Sequence, residues 1–150
     1  ESFGDKEIHI ISGNHCRYGS STALDFLKNI RSNWHIYTEP QLVKIAGIEA
    51  FMIPFITPTL LGVETKEDGV KKMVEMLPKD AKALVFAHLG VTGATLHGVP
   101  ADFFNEIVLP KEEMEKHFWH GFYGHWHGKQ MLFPSTYICG NVLSSEVGDH

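Results

Sequence analysis

Ala83-Leu84-Val85-Phe86-Ala87-His88-Leu89-Gly90 is the stretch that decides how this chain is read. Its first five residues form a strongly apolar run of strand type that stops at a histidine, and a glycine-rich loop follows to about Pro100. Downstream, Pro110 with Glu112 and Glu113 marks a helix start. A strand over 118–123 then ends at Gly124-His125-Trp126-His127, and Tyr137-Ile138-Cys139 reads as a last strand. Upstream, Thr65 opens a helix with Glu67 and Asp68 near the positive end of its dipole and Val70, Met73, Val74 and Leu77 as its buried stripe. Residues 42–56 read as a hairpin turning near Gly47, its far end limited by Pro54 and Pro58. Ser20 and Ser21 are set to cap a helix carrying Ala23, Leu24, Leu27 and Ile30 on one face and ending at Asn33. At the start, Ile8-His9-Ile10-Ile11-Ser12 is a short buried strand running into Gly13-Asn14-His15-Cys16. The class is α/β or α+β around a sheet, with strand order left open.

The bulk numbers fit one domain. The chain has 150 residues, 43% hydrophobic and 21% charged, which is globular rather than disordered. A net charge of -5 argues against a simple electrostatic DNA clamp, although bound cations can reverse the local field. Cys16 and Cys139 form no disulfide or zinc-ribbon spacing, which points to a reducing compartment, the cytoplasm. No apolar run is long enough for a membrane. The chain opens on Glu1 and closes on Gly148-Asp149-His150, and the expectation is a fragment or a processed product.

Three apolar runs end in histidine-bearing turns: Asn14 and His15, then His88, then His125 and His127. Taken singly each has a plain reading: a turn histidine, a partly buried histidine, an edge strand with alternating faces. Together, and in that order, they are hard to obtain by chance. In an extended segment His125 and His127 point to the same side, suiting two ligands approaching one metal cluster. Imidazole and an amide carbonyl are good donors for first-row metals. Gly13 and Gly124, each just before a candidate ligand, are read as permitting sharp turns.

These motifs resemble the last three of the calcineurin-like metallophosphoesterases. The flanking Val85-Phe86-Ala87-His88-Leu89-Gly90-Val91 with Gly93-Ala94, and Phe122-Tyr123-Gly124-His125-Trp126-His127 followed by a strand and Gly140-Asn141, resemble the SbcD-type double-strand-break repair nucleases. The resemblance implies part of a four-layer α-β-β-α sandwich, with 1–150 as a partial catalytic domain lacking the N-terminal motifs and any C-terminal capping domain. It implies that Asn14, His88 and His125 bind one metal and His127 the other, with His15 beside the scissile phosphate. Two divalent ions are expected, Mn2+ first, with Fe, Zn or Mg as alternatives. DNA is the implied substrate, and a coiled-coil ATPase subunit and a homodimer are the implied protein partners. The cell would be a bacterium or a phage-infected host.

Two departures stand out. The family's earlier Asp-x-His and Gly-Asp-x-x-Asp motifs are absent, and Gly4-Asp5 reads as a surface turn rather than a substitute. Cys16 stands where the family has Asp or Glu to orient the catalytic histidine, and a thiol is a poor hydrogen-bond partner. Cys16 is therefore either a weak participant beside His15 or merely tolerated, and Cys139 is assigned to the core. His9 is read as a strand residue, His35 as a loop residue and His97 as solvated, while His117 and His120 flank a strand start. Arg17 is a modest phosphate-contact candidate. Tyr18 is read as packing, with base stacking as its functional alternative. Three functions compete: a metal-dependent DNA nuclease incomplete in this chain, a phosphoesterase on small-molecule or phosphoprotein substrates, and an impaired remnant kept as a binding module.

Overall fold

The structure, a computed structural model, describes residues 3–19, 21–79, 83–132 and 134–140. In chain order its strands are β1 (Ile8–Ile11), β2 (Arg17–Tyr18), β3 (Ser21–Thr22), β4 (Trp34–Tyr37), β5 (Gln41–Ile45), β6 (Ile48–Ile53) and β7 (Ala83–Ala87). There follow β8 (Gly90–Val91), β9 (Thr95–Leu96), β10 (Val99–Pro100), β11 (Val108–Leu109), β12 (Phe118–Tyr123), β13 (Gln130–Leu132) and β14 (Thr136–Ile138). The helices are α1 (Pro58–Leu61), α2 (Lys66–Glu75) and α3 (Lys111–His117).

The apolar run of β7 lies inside a six-stranded mixed sheet of order β13-β14-β12-β7-β6-β5. Strands β6, β7, β12 and β14 run parallel, flanked by antiparallel β5 and β13. Side chains of a strand alternate between faces. Phe51, Ile53, Val85 and Ala87 therefore enter the main core, while Ala50, Met52 and Phe86 face a smaller cluster with Ile11 and Tyr37. Those last two come from the parallel pair β1–β4, which covers the second face. The mixed α/β class expected around a sheet is the class observed.

A one-residue irregularity in β12 matters for the site. Phe118 pairs with Ala83, but His120 pairs with Leu84, leaving Trp119 as the extra residue, 54% exposed. The bulge changes the parity of the strand. Phe118 and Tyr123 thus both reach the main core, and Tyr123 ends level with Ala87.

Local chemistry accounts for the other elements. The β5–β6 hairpin turns through Ala46 and Gly47 at φ 49° and 85°, the two left-handed residues that a two-residue turn requires. Thr65 caps α2, its hydroxyl accepting from Asp68 N at 3.1 Å. Met73 and Leu77 are buried below α2, with Val70 and Val74 partly buried. Gly69 lets the helix close on Ile107, whose Cδ1 would lie 2.7 Å from an added Cβ.

Several expectations are corrected. The helix expected after Ser21 is absent: Ser21–Thr22 is a strand paired with Arg17–Tyr18, and only a 3-10 turn, Asp25–Asn29, follows. Thr22 Oγ1 donates to Cys16 O and accepts from Leu24 N, while Asp25 accepts from Thr22 N. Such side-chain bonds compete with helix, and with Ala23 and Ile30 exposed and Leu24 and Leu27 only half-buried, packing offsets little of the cost of a helix there. His35 is not in a loop but in β4, opposite His9. The glycine-rich loop contains β8, paired with β11, and the β9–β10 hairpin. The last strand is Thr136–Ile138, and Cys139, assigned to the core, is exposed. Asp5 is exposed in a 3-10 turn, as expected of a surface residue. Ser20, Asn141 and the chain end to His150 lie outside the described residues. Among the described residues no helix is long and apolar enough to cross a membrane.

Candidate functional site

Backbone hydrogen bonds draw the ends of four strands together. Ser12 N donates to Tyr37 O at 3.0 Å, and Phe55 N donates to Ser12 O at 2.8 Å, tying the exit of β1 to the exit of β6. His88 N donates to Ile53 O at 2.9 Å, and Gly124 N donates to Ala87 O at 2.8 Å. The residues just after β1, β6, β7 and β12 are therefore neighbours. Ligands and reacting groups collect at such carboxyl edges of parallel strands because the sheet is rigid and the following loops are free to vary.

His88 is the residue around which the edge is built. Its Nε2 lies 3.1 Å from Asn14 Oδ1, in the geometry of a ring N–H donating to the amide oxygen. Gly13 and Gly124 flank the ring. A Cβ on Gly13 would come within 2.9 Å of the imidazole, and one on Gly124 within 3.2 Å of Nδ1. Gly13 is itself extended, at φ -91° and ψ 177°. The sharp-turn reading of these glycines is corrected: they are needed for close approach of the His88 ring. Burial, and then the neighbouring histidines His125 and His15, push His88 down to about 4, so its ring is neutral at pH 7.

His125 follows β12 in a left-handed conformation, φ 83°, uncommon for a residue with a side chain and of the kind that accumulates at functional sites. His125 and His127 are thus aimed by a left-handed turn, not by alternation along an extended strand. The His125 ring lies 5.2 Å from that of His88, centroid to centroid, and 5.3 Å from that of Phe55. Its Nε2 is 2.9 Å from Glu106 Oε2, and Trp126 Nε1 donates to Glu106 Oε1 at 3.3 Å. Trp126 is buried and makes an edge contact with Phe104. Glu106 is the site residue that the motif pattern missed. It sits in an irregular stretch, and its only sequence signal is one acid between Phe103-Phe104 and Ile107-Val108-Leu109.

Asn14, His15, Glu106, His125, Trp126 and His127 line one cleft of about 190 Å3. His15 is exposed at its rim and Asn14 is half-buried. Cys16 is half-buried, and its hydrogen bonds run through its backbone, accepting from Ala23 N and Thr22 Oγ1. Arg17 turns away, Nη2 donating to Thr38 O at 2.6 Å beside a separate cavity. Tyr18 is 91% exposed, so the packing role read for it is corrected.

The donors of the cleft fit a cation in part. His125 Nδ1 is buried without a hydrogen bond while Nε2 faces a carboxylate, the arrangement that typically presents an imidazole to a metal. Adjacent ligands of one first-row ion, at metal–ligand distances of about 2.1 Å, lie about 3.0–3.4 Å apart. The Asn14–His88 separation of 3.1 Å falls in that span. Among the described His, Cys, Asp and Glu residues, however, three donor atoms within 4.8 Å of one another occur at Glu7, His9 and His35, not in this cleft.

Comparison of the chain with family models, curated proteins and solved structures finds no match.

Proposed function

We propose that the cleft is part of a metal-dependent phosphodiester hydrolase site of the calcineurin-like metallophosphoesterase kind, in the DNA repair and recombination nuclease branch. The observation that carries this reading is the meeting of Asn14, His88 and His125 at one sheet edge, with His15 and His127 on the same cleft. In this reading the six-stranded sheet and the β1–β4 pair are the two β layers of an α-β-β-α sandwich. Two divalent ions, Mn2+ foremost, would supply charge neutralisation for a phosphodiester and activation of water. Asn14 Oδ1, His88 and His125 would hold one ion, and His127 would contribute to the other. Burial keeps His88 neutral and ready to ligate. Glu106 orients the His125 ring, and the exposed position of His15 suits it to meet the leaving oxygen of a substrate entering from solvent.

A small phosphoester is the second reading, favoured by the net charge of -5 and by a cleft of about 190 Å3, a size that suits a phosphoryl group. The test is Mn2+-dependent hydrolysis of bis(p-nitrophenyl) phosphate and of linear DNA by this chain and by the full-length natural protein, with His15→Ala and His88→Ala as controls. Hydrolysis of both substrates, lost in both variants, supports the nuclease. Hydrolysis of the small ester alone supports the second reading. A folded full-length protein that binds Mn2+ and hydrolyses neither would overturn both.

A further inference from the structure

A second group of donors lies on the other flank of β1, upstream of the Asn14 turn. The parallel register of β1 and β4 sets His9 opposite His35, their rings stacked with centroids 4.7 Å apart. Glu7, just before β1, is ion-paired through Oε2 with His35 Nε2. One donor atom from each of the three lies within 4.8 Å of the others. The Tyr37 hydroxyl bonds His9 Nδ1 at 2.6 Å, an outer hydrogen bond of the sort that fixes a metal-bound imidazole and leaves Nε2 to the ion. A cavity of about 470 Å3, lined also by Val43 and Ile45 of β5, opens on the group. It lies in the gap between the β1–β4 pair and the six-stranded sheet, with room for water ligands.

We propose that Glu7, His9 and His35 form a cation site separate from the cleft at Asn14 and His125, taking a first-row divalent ion such as Zn2+ and bracing β1 against β4. Two imidazoles and one carboxylate are a donor set such ions prefer over Mg2+ or Ca2+, and three protein ligands leave a position open to water. A single dication placed among the three donor atoms would satisfy both imidazoles and the carboxylate at once. An ion held there joins β4 to β1, whose exit carries Asn14 and His15, so binding stabilises the folded state by mass action.

The test is calorimetric titration of Zn2+, with Co2+ visible absorption as a second readout, on a His88→Ala/His125→Ala variant. That background removes two of the proposed cleft ligands, and His35→Gln and Glu7→Gln separate binding at the β1–β4 pair from binding at the cleft donors that remain, so failure here is distinguishable from failure of the hydrolase reading. The expected result is one equivalent of Zn2+ bound with a raised Tm, lost on adding His35→Gln or the exposed Glu7→Gln, and weakened about tenfold by Tyr37→Phe. Near-UV circular dichroism verifies that each variant is folded. No bound equivalent in the background variant overturns the site, as does an equivalent that survives both His35→Gln and Glu7→Gln.

Discussion

Asn14 Oδ1 and His88 Nε2 meet at 3.1 Å although 74 positions of chain separate them. Neither could be placed against the other from its own surroundings. Asn14 follows β1, which among the described residues pairs with β4 alone, whereas His88 follows β7 in the six-stranded sheet. The link runs through Ser12 and Phe55, whose backbone bond joins the two strand systems, and through the two glycines that admit the His88 ring.

Gly13→Ala should therefore cost more than its size suggests. Its Cβ would sit 2.9 Å from the His88 ring, which is hemmed in on the other side by Gly124. Overpacking of this kind costs about 1–3 kcal/mol. Gly128→Ala, whose Cβ would meet nothing nearer than Gln130 Nε2 at 3.9 Å, should change stability little. Urea midpoints of the two variants compare them directly, and equal midpoints would show that the slot is not tight.

Stability should fall on acidification through His88. Its folded value, pushed down to about 4, lies below the ordinary 6.5, so between these two values the unfolded chain binds the proton more readily. The contribution is whole above about 6.5 and is lost progressively as pH falls towards about 4. Urea melts across this range should show a shallower decline for His88→Gln than for the unaltered chain. Long-range 1H–15N spectra should show the His88 ring still neutral at about pH 5.

Glu106→Gln tests the carboxylate behind His125. The substitution keeps the shape and one acceptor for the Trp126 indole but removes the charge facing His125 Nε2. With the fold intact, Mn2+ affinity should drop about tenfold to a hundredfold. Calorimetry measures it, and an unchanged affinity would confine Glu106 to packing of the loop.

Ile107 and Gly69 should behave as a coupled pair. Ile107 is fully buried against α2 at Gly69. Ile107→Ala should cost about 2–5 kcal/mol through the space it leaves. Adding Gly69→Ala should recover part of this, since the new methyl enters that space and alanine favours helix by about 1 kcal/mol. A double-mutant cycle by denaturant melts reads the coupling, and strict additivity would place the two residues out of contact.

The sequence alone marked the elements whose signal is local: the apolar run of β7, the β5–β6 hairpin at Gly47, the Thr65-capped α2, and β12 ending before Gly124. It also singled out Asn14, His15, His125 and His127 as candidates through their motif order, and all four line one cleft. It misread 21–33, where apolar spacing suits a helix but side-chain bonds of Thr22 and Asp25 hold the chain otherwise and Ala23 and Ile30 stay exposed, and it misplaced His35, whose strand exists through pairing with β1. Glu106 was invisible because its partners, His125 and Trp126, are distant in the chain. The tertiary structure alone decided the parallel order β6–β7–β12, the bulge at Trp119 that levels Tyr123 with Ala87, and the meeting of His9 with His35. Periodicity reports which face of an element is apolar, but strand neighbours and register follow from the joint packing of all the elements, and the geometry of both proposed sites depends on that packing.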